Sequence, residues 1–348
     1  MHAMHRLHVT GDTIMQHVYD AVLRRAALCL PLSAAALAAA IVTTAATAQS
    51  YPTKPLTIVV GNFPGSAADI LVRQLGEELK TALKQNIVVL NRTGANGAIA
   101  VDAVKRARAD GYTLMFSTMT TLAVNPHLQA DARYNAAEDF EPVARHVMQP
   151  MLWVAEKAAP YRSLKEVIEF ARKNPDKLLV ARLGYGGSSH LVAAALMAQQ
   201  NIRFTIVGLQ TTSQAYIALR RGDVQLMVDT AQPMLPRIQA GEVTPLAVTS
   251  ATRIKALPEV PTWLEQGSAD AELTAWYAWL APKGTPKEIV DLLNAEINRL
   301  LLTPRIRQPL EEVGGIVQPL NPEETRRYLR DEHARWGRVV KAANLQAE

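Results

Sequence analysis

The stretch Val59–Leu75, VVGNFPGSAADILVRQL, decides how the chain is read. An apolar run closes at a Gly/Pro/Ser turn, and a helical pattern starts at once with Asp69 in its first turn. Gly65 and Ser66 leave main-chain N–H groups accessible, and the helix behind them supplies partial positive charge. Such a turn can hold an anion, and it can equally be a plain connection. It is not a P-loop, because no Gly-Lys-Ser/Thr follows.

The same unit recurs on both sides. LTIVV leads into AADILVRQLGEELKTAL, NIVVL into GAIAVDAVKRARA, and YTLMFS follows. A second set starts at MLWVA and runs through SLKEVIEFARKN, KLLVARL, SHLVAAALMAQQ, FTIVGL, QAYIALRRG, VQLMVD and TPLAVTS. This alternation is the rhythm of mostly parallel sheets flanked by helices. Two such sets predict two α/β domains with a cleft between them, a preferred place for a small-molecule site. Residues 49–150 plus 272–348 are assigned to the first domain and 151–271 to the second, inserted domain. The chain is expected to cross in PVARHVMQPMLWVA and in LTAWYAWLAPKGTP. Helix starts are marked by Ser163 with Glu166, a capping box. Thr285-Pro286-Lys287-Glu288 and Asn321-Pro322-Glu323-Glu324 each predict proline at the first helical position. The final pattern, EETRRYLRDEHARWGRVVKAA, carries a stripe of Tyr328, Leu329, Trp336, Val339 and Val340 and reads as a surface helix packed on one face.

The N-terminal segment has to be set apart. Arg24 and Arg25 precede an apolar run from Ala26 to Val42, and Ala46-Thr47-Ala48 is a small-x-small cleavage site. Residues 1–48 therefore read as a secretory signal peptide, so the mature chain is expected to be exported, as fits a bacterial periplasmic protein. Their removal takes away Arg6, Arg24, Arg25, Asp12 and Asp20, leaving 34 basic against 30 acidic side chains. That balance, with no Lys/Arg block, gives no nucleic-acid footprint. Cys29 is the one cysteine and lies within the removed segment, so the mature chain has no thiol chemistry to offer.

A second strand-to-helix loop, Arg182-Leu183-Gly184-Tyr185-Gly186-Gly187-Ser188-Ser189-His190, is richer in glycine and serine than the first. It makes the better anion cradle. Ser188 or Ser189 with His190 would be the nucleophile and base of a hydrolase, but adjacent residues rarely present a serine oxygen to that imidazole, and no Gly-x-Ser-x-Gly elbow exists. Other polar candidates are Ser117 to Thr121 and Asp229 with Thr230, each after an apolar run. His127, His146, His190 and His333 have no metal-ligand spacing. No cofactor is expected.

From Tyr51 to about Leu345 the sequence resembles the tripartite tricarboxylate transporter substrate-binding receptors, also called Bug proteins. The carriers are YPTKPLTIVV, FPGSAADILVRQL, NRTGANGAIAVDAVKRARADGYTLMF, VNPHL, GGSSHLVAAAL, LRRGDVQLMVD, LPRIQAGEVTPLAVTSATRIKALPEVPT and LAPKGTPKEIVDLLNAEI. The resemblance implies a two-domain periplasmic binding protein whose cleft closes like a Venus flytrap on its ligand, without catalytic activity. A ligand carboxylate would be held by main-chain amides and waters from Phe63, Pro64, Gly65, Ser66, Ala67, Ala68 and Asp69, and from Leu183, Gly184, Gly186, Gly187, Ser188, Ser189 and His190. Ser117, Thr118, Thr120, Asp229 and Trp276 would complete the wall. The receptor, a monomer, would deliver its ligand to a permease of one large and one small inner-membrane subunit. An alternative is a co-receptor docking on a signalling sensor domain; a hydrolase using Ser188 or Ser189 with His190 is a further one. The sequence departs from the pattern where Ala67 and Ala68 replace a hydroxyl position, and where GLQTTS, Gly208 to Ser213, replaces a lysine-containing motif. Arg182 also departs from it, standing in place of a small polar residue, and would either grip a second carboxylate or face solvent.

Overall fold

The computed structural model describes residues 51–130, 132–184, 186–268 and 273–345. The signal peptide and Cys29 lie outside these residues. Strand β1 (Leu56–Val60), helix α1 (Ala67–Leu83) and strand β2 (Ile87–Asn91) open the chain. Helix α2 (Ala98–Lys105), strand β3 (Thr113–Thr118), a π-helical turn (Thr120–Val124) and the short helix α3 (Asn125–Leu128) follow. Strand β4 (Phe140–Glu156) then leads to α4 (Leu164–Lys173), β5 (Leu179–Leu183), α5 (Ser188–Gln200) and β6 (Thr205–Leu209). Next come α6 (Thr212–Arg221), β7 (Leu226–Thr230), α7 (Ala231–Gln239), β8 (Val243–Val248) and β9 (Thr274–Pro282). Helices α8 (Lys287–Leu301), α9 (Pro304–Glu312) and α10 (Pro322–Ala342) close the fold. None of the described helices is long and apolar enough to cross a membrane.

The strand order is β2-β1-β3-β9-β4-β7-β5-β6, with β8 also paired to β4. β1 is apolar except for Thr57 because it lies between β2 and β3, both parallel to it, with helices on its faces. Helix α1 lays Leu71, Val72, Leu75, Leu79 and Leu83 against this sheet, one buried stripe at helical spacing. β5 is parallel to β6 and β7 in the second half of the chain. The alternation in the sequence accounts for these parallel pairs. The remaining pairs are antiparallel: β9 pairs β3 and β4, and β4 pairs β7 and β8.

β4 is the organising element. Its Phe140–Pro150 portion pairs with β9, and its Met151–Glu156 portion pairs with β7 and β8, so it leaves one sheet and enters the other at Pro150/Met151. A strand of 17 residues that serves two sheets has to bend. The register shifts at Pro142/Ala144 and Arg145/Val147 supply that bend, and Pro142, which has no N–H to donate, falls at the first of them.

Helix starts follow the sequence with two differences. Ser163 accepts from the Glu166 amide, but the Glu166 carboxylate reaches back to the Arg162 N–H instead of closing the box on Ser163. Pro286 stands at the N-cap of α8 and not at its first helical position, because the Thr285 hydroxyl turns back to the Pro282 carbonyl. The box at Asn321 and Glu324 is complete, with Pro322 at the first helical position. Asn321→Ala is expected to cost about 1 kcal/mol, read as a lower urea midpoint at unchanged slope.

Candidate functional site

Five segments converge on a cavity of about 610 Å3. They are the β1–α1 loop at Gly61–Phe63, the β2–α2 loop at Gly94–Gly97, and the end of β3 with the π turn and α3. The β5–α5 loop at Gly186–Ser188 and the start of β9 at Ala275–Tyr277 complete it.

The first loop is held from behind. The Asp69 carboxylate accepts from the Gly65 amide at 2.9 Å, while Ser66 Oγ accepts from the Asp69 amide at 3.3 Å. Arg73 Nε and Asn91 Nδ2 also donate to Asp69, at 3.0 and 2.9 Å. Chiefly through the Arg73 hydrogen bond, the carboxyl is held down to about 2. Asn91 Nδ2 donates to the Asn62 carbonyl as well. Asp69 thus fixes the turn, and Pro64 to Asp69 stand outside the cavity lining. Phe63, 73% exposed, is the member of the sequence-expected set that reaches it here.

The second loop is stitched by its own helix. Ser189 Oγ accepts from the Leu183 amide at 2.8 Å and donates to the Leu183 carbonyl at 3.2 Å. His190 Nδ1 accepts from the Gly186 amide at 3.2 Å. Burial, followed by the charge of Arg182, lowers the imidazole to about 4, so it is neutral at pH 7 and its Nδ1 stays an acceptor. Both side chains therefore bind main chain and hold Gly186, Gly187 and Ser188 against the cavity. The first amides of α5 have no carbonyl partner within the helix, which leaves them suited to an anion.

The remaining sequence candidates divide. Thr118, Thr120 and Trp276 line the cavity. Ser117, Arg182, Leu183, Gly184 and Asp229 stand outside its lining. The Arg182 guanidinium lies over Gly208, 3.1 Å from where a Cβ would be. Asp229 accepts from Thr212 Oγ1 and the Thr230 amide, both at 2.7 Å, and burial raises its carboxyl. Among the described residues no group of three His, Cys, Asp or Glu side chains is placed to hold a metal ion.

The sequence reading missed the loop Gly94-Ala95-Asn96-Gly97. All four residues have positive φ, at 120°, 45°, 50° and 95°. Such a run needs outside support, and the Asn96 carbonyl provides the hold, accepting from Asn125 Nδ2 at 2.8 Å and Thr121 Oγ1 at 3.2 Å. Tyr134 in turn donates to the Thr121 carbonyl. A Cβ on Gly97 would lie 2.7 Å from Thr121 Oγ1, and one on Gly61 would lie 2.9 Å from the Gly97 Cα. The loop is legible as a Gly-x-x-Gly turn between a strand and a helix, the signal that marked the other two.

The buried histidines and Asp69 titrate with one sign, and the raised Asp229 carboxyl opposes them. His146 is buried, accepts from Trp279 Nε1 at 3.1 Å, and is lowered to about 3 by desolvation. For His146 and His190 the unfolded chain takes up protons below about 6.5 while the folded chain does not, so stability falls as pH drops from 6.5 toward 4. Asp69 adds to the loss below its unfolded value of 3.8. The melting temperature is expected to fall steadily from pH 7 to 4; a flat profile between pH 7 and 5 would contradict this.

Residues 71–345 match the model of the tripartite tricarboxylate transporter family receptor. A protein encoded in the tcbD–tcbE intergenic region of Pseudomonas sp. (strain P51) is 33% identical over 317 residues, covering 90% of this chain and 94% of the relative. The periplasmic binding protein BugD is 30% identical with a TM-score of 0.69, over 86% of this chain and all of that one. An R. palustris protein solved with adipate is 32% identical with a TM-score of 0.73, at the same coverage.

Proposed function

The chain belongs to the tripartite tricarboxylate transporter receptor family, and on that premise we propose that it captures a small organic carboxylate in the cavity between its two α/β lobes. We assign the lobes to residues 49–150 plus 272–348 and to 151–271, with β4 crossing from the first to the second and the chain returning just before β9. The carboxylate sits on the first amides of α5, at Gly187 and Ser188, opposite the Gly61–Phe63 and Gly94–Gly97 loops. The observation that carries this is the convergence of three glycine-containing strand-to-helix loops on one cavity. In this reading Asp69, Ser189 and His190 aim the loops instead of touching ligand. The family is one of receptors, and Ser189 gives its hydroxyl to Leu183, so no chemistry on the ligand is proposed. Residues 1–48 direct export to the periplasm, and the loaded receptor delivers to a two-subunit inner-membrane permease.

Thermal shifts of the chain from Gln49 against carboxylates, their amides and sugars test this. A ligand at a hundred times its dissociation constant adds about 2.7 kcal/mol of stability. Stabilisation by a carboxylate and not by its amide is expected. Stabilisation by sugars alone, or by an amide as strongly as by its acid, would count against the assignment.

A further inference from the structure

Past the end of α9, Ile316 lies along β4. Its amide donates to the Met148 carbonyl at 2.8 Å, and its carbonyl accepts from the Met148 amide at 3.0 Å. Across its other edge Met148 pairs with Trp276 of β9, and Trp276 lines the cavity. Residues 313–316 therefore run on the side of β4 away from the cavity. On the lobe assignment above they belong to the first lobe, yet they pack on the second. Val313 and Ile316 lie against the cluster that holds Ala231, Met234 and Ile254. At Gly314 the approach leaves no room for a side chain: a Cβ there would lie 2.8 Å from Ala231 Cβ and 3.1 Å from Ile254 Cδ1. One turn earlier, Glu311 of α9 pairs with Lys255 at 2.8 Å and with Arg307 of its own helix at 2.6 Å. Gaps of about 480 and 180 Å3 flank the Lys255–Glu311 pair, so the contact rests on that pair and on the Gly314 seam.

Building on the receptor reading and its two lobes, we propose that α9 and residues 313–316 form a strap behind the crossing strand that sets the balance between open and closed cleft. Because β4 lies between the cavity and the strap, a hinge rotation about it that brings the cavity walls together draws the strap contacts apart. Each contact across the strap thus favours the open form, and its strength is subtracted from what a ligand gains on closure. A ligand held by both lobes is bound by the closed form, so its apparent affinity scales with the closed fraction. The two parts of the strap differ in stiffness. The Lys255 side chain is 76% exposed, and an ion pair of that kind shifts an equilibrium by about fivefold at most. The Gly314 seam is the stiffer part, because atoms already close-packed cannot be pressed closer as the cleft opens.

The chain from Gln49 has no cysteine, which allows the balance to be read without any ligand. Nitroxide labels at Ile70→Cys on α1 and Ser213→Cys on α6, both exposed positions, report the distance across the cleft by pulsed electron paramagnetic resonance. Glu311→Lys sets a third cation against Lys255 and Arg307, and Gly314→Ala wedges the seam. Each is expected to at least double the short-distance population. Adding Lys255→Glu to Glu311→Lys restores an ion pair and is expected to return the original distribution. Circular dichroism controls for folding. Gly314→Ala also carries the strain of φ 84°, and should it not fold, Glu311→Lys on the helix surface decides the question. Distances unchanged in every folded variant, or lengthened in any of them, would overturn the strap. The carboxylate reading is decided separately by the thermal shifts, so a failure of one is not mistaken for a failure of the other.

Discussion

Gly187→Ala is expected to weaken ligand binding by about 100-fold or more while the chain stays folded. The reason is space and not backbone angle, since Gly187 has φ −71°. A Cβ there would lie 2.7 Å from the Leu183 carbonyl oxygen and 3.6 Å from that of Gly184. Those oxygens cannot retreat independently. The Leu183 carbonyl accepts from Ser189, and its amide donates to the same hydroxyl, so the loop and the first turn of α5 are one unit. To admit the methyl group the loop must swing off the helix, and the amides of Gly187 and Ser188 lose their aim. Hydrogen bonds to a charged group contribute about 1.5–3 kcal/mol each. Losing two of them sets the effect at about 3 kcal/mol, or roughly 100-fold. Gly65→Ala makes the contrast: nothing lies within 4 Å of a Cβ there, and only the positive φ of 79° is strained, so a smaller loss is expected. Titration calorimetry on both variants, with circular dichroism as the control for folding, checks the ranking. Unchanged affinity in Gly187→Ala would remove this loop from the site.

These two glycines also show what the sequence could and could not carry. An apolar run, a glycine turn and a helix start are local features, and they marked both the Phe63–Asp69 and Leu183–His190 loops. The role of each polar residue inside those loops is not local. Asp69 is drawn away from the cavity by Asn91, which is 22 positions further along the chain. The Gly94–Gly97 loop keeps its left-handed run only because Thr121 and Asn125, from an element after the next strand, hold the Asn96 carbonyl. The same limit applies to strand direction. The βαβ rhythm accounts for the parallel pairs, but β4 serves two sheets through bulges that no periodicity announces. Along α10 the apolar stripe was readable, and the buried carboxylate within it was not.

That carboxylate, Glu332, should give the largest stability effect of any single polar substitution among those considered. Glu332 is 1% exposed, and its Oε2 accepts from Trp276 Nε1 at 2.6 Å and from Trp336 Nε1 at 2.9 Å. Arg335, one turn along, pairs with Oε1. Both indoles are fully buried, so neither N–H can turn to water when the acceptor is removed. Glu332→Ala therefore strands two buried donors at about 1–3 kcal/mol each and leaves the guanidinium of Arg335 without its carboxylate. A loss of about 3–5 kcal/mol is expected. Glu332→Gln keeps one acceptor oxygen on a side chain of the same shape and should lose clearly less. The effect reaches the cavity, because Trp276 belongs to the β9 segment that lines it and stacks edge-on against Tyr328 of α10. Urea unfolding followed by tryptophan fluorescence measures both variants. If alanine and glutamine cost the same, the indole hydrogen bonds are not what holds α10 to β9, and packing of the two rings alone must account for the seam.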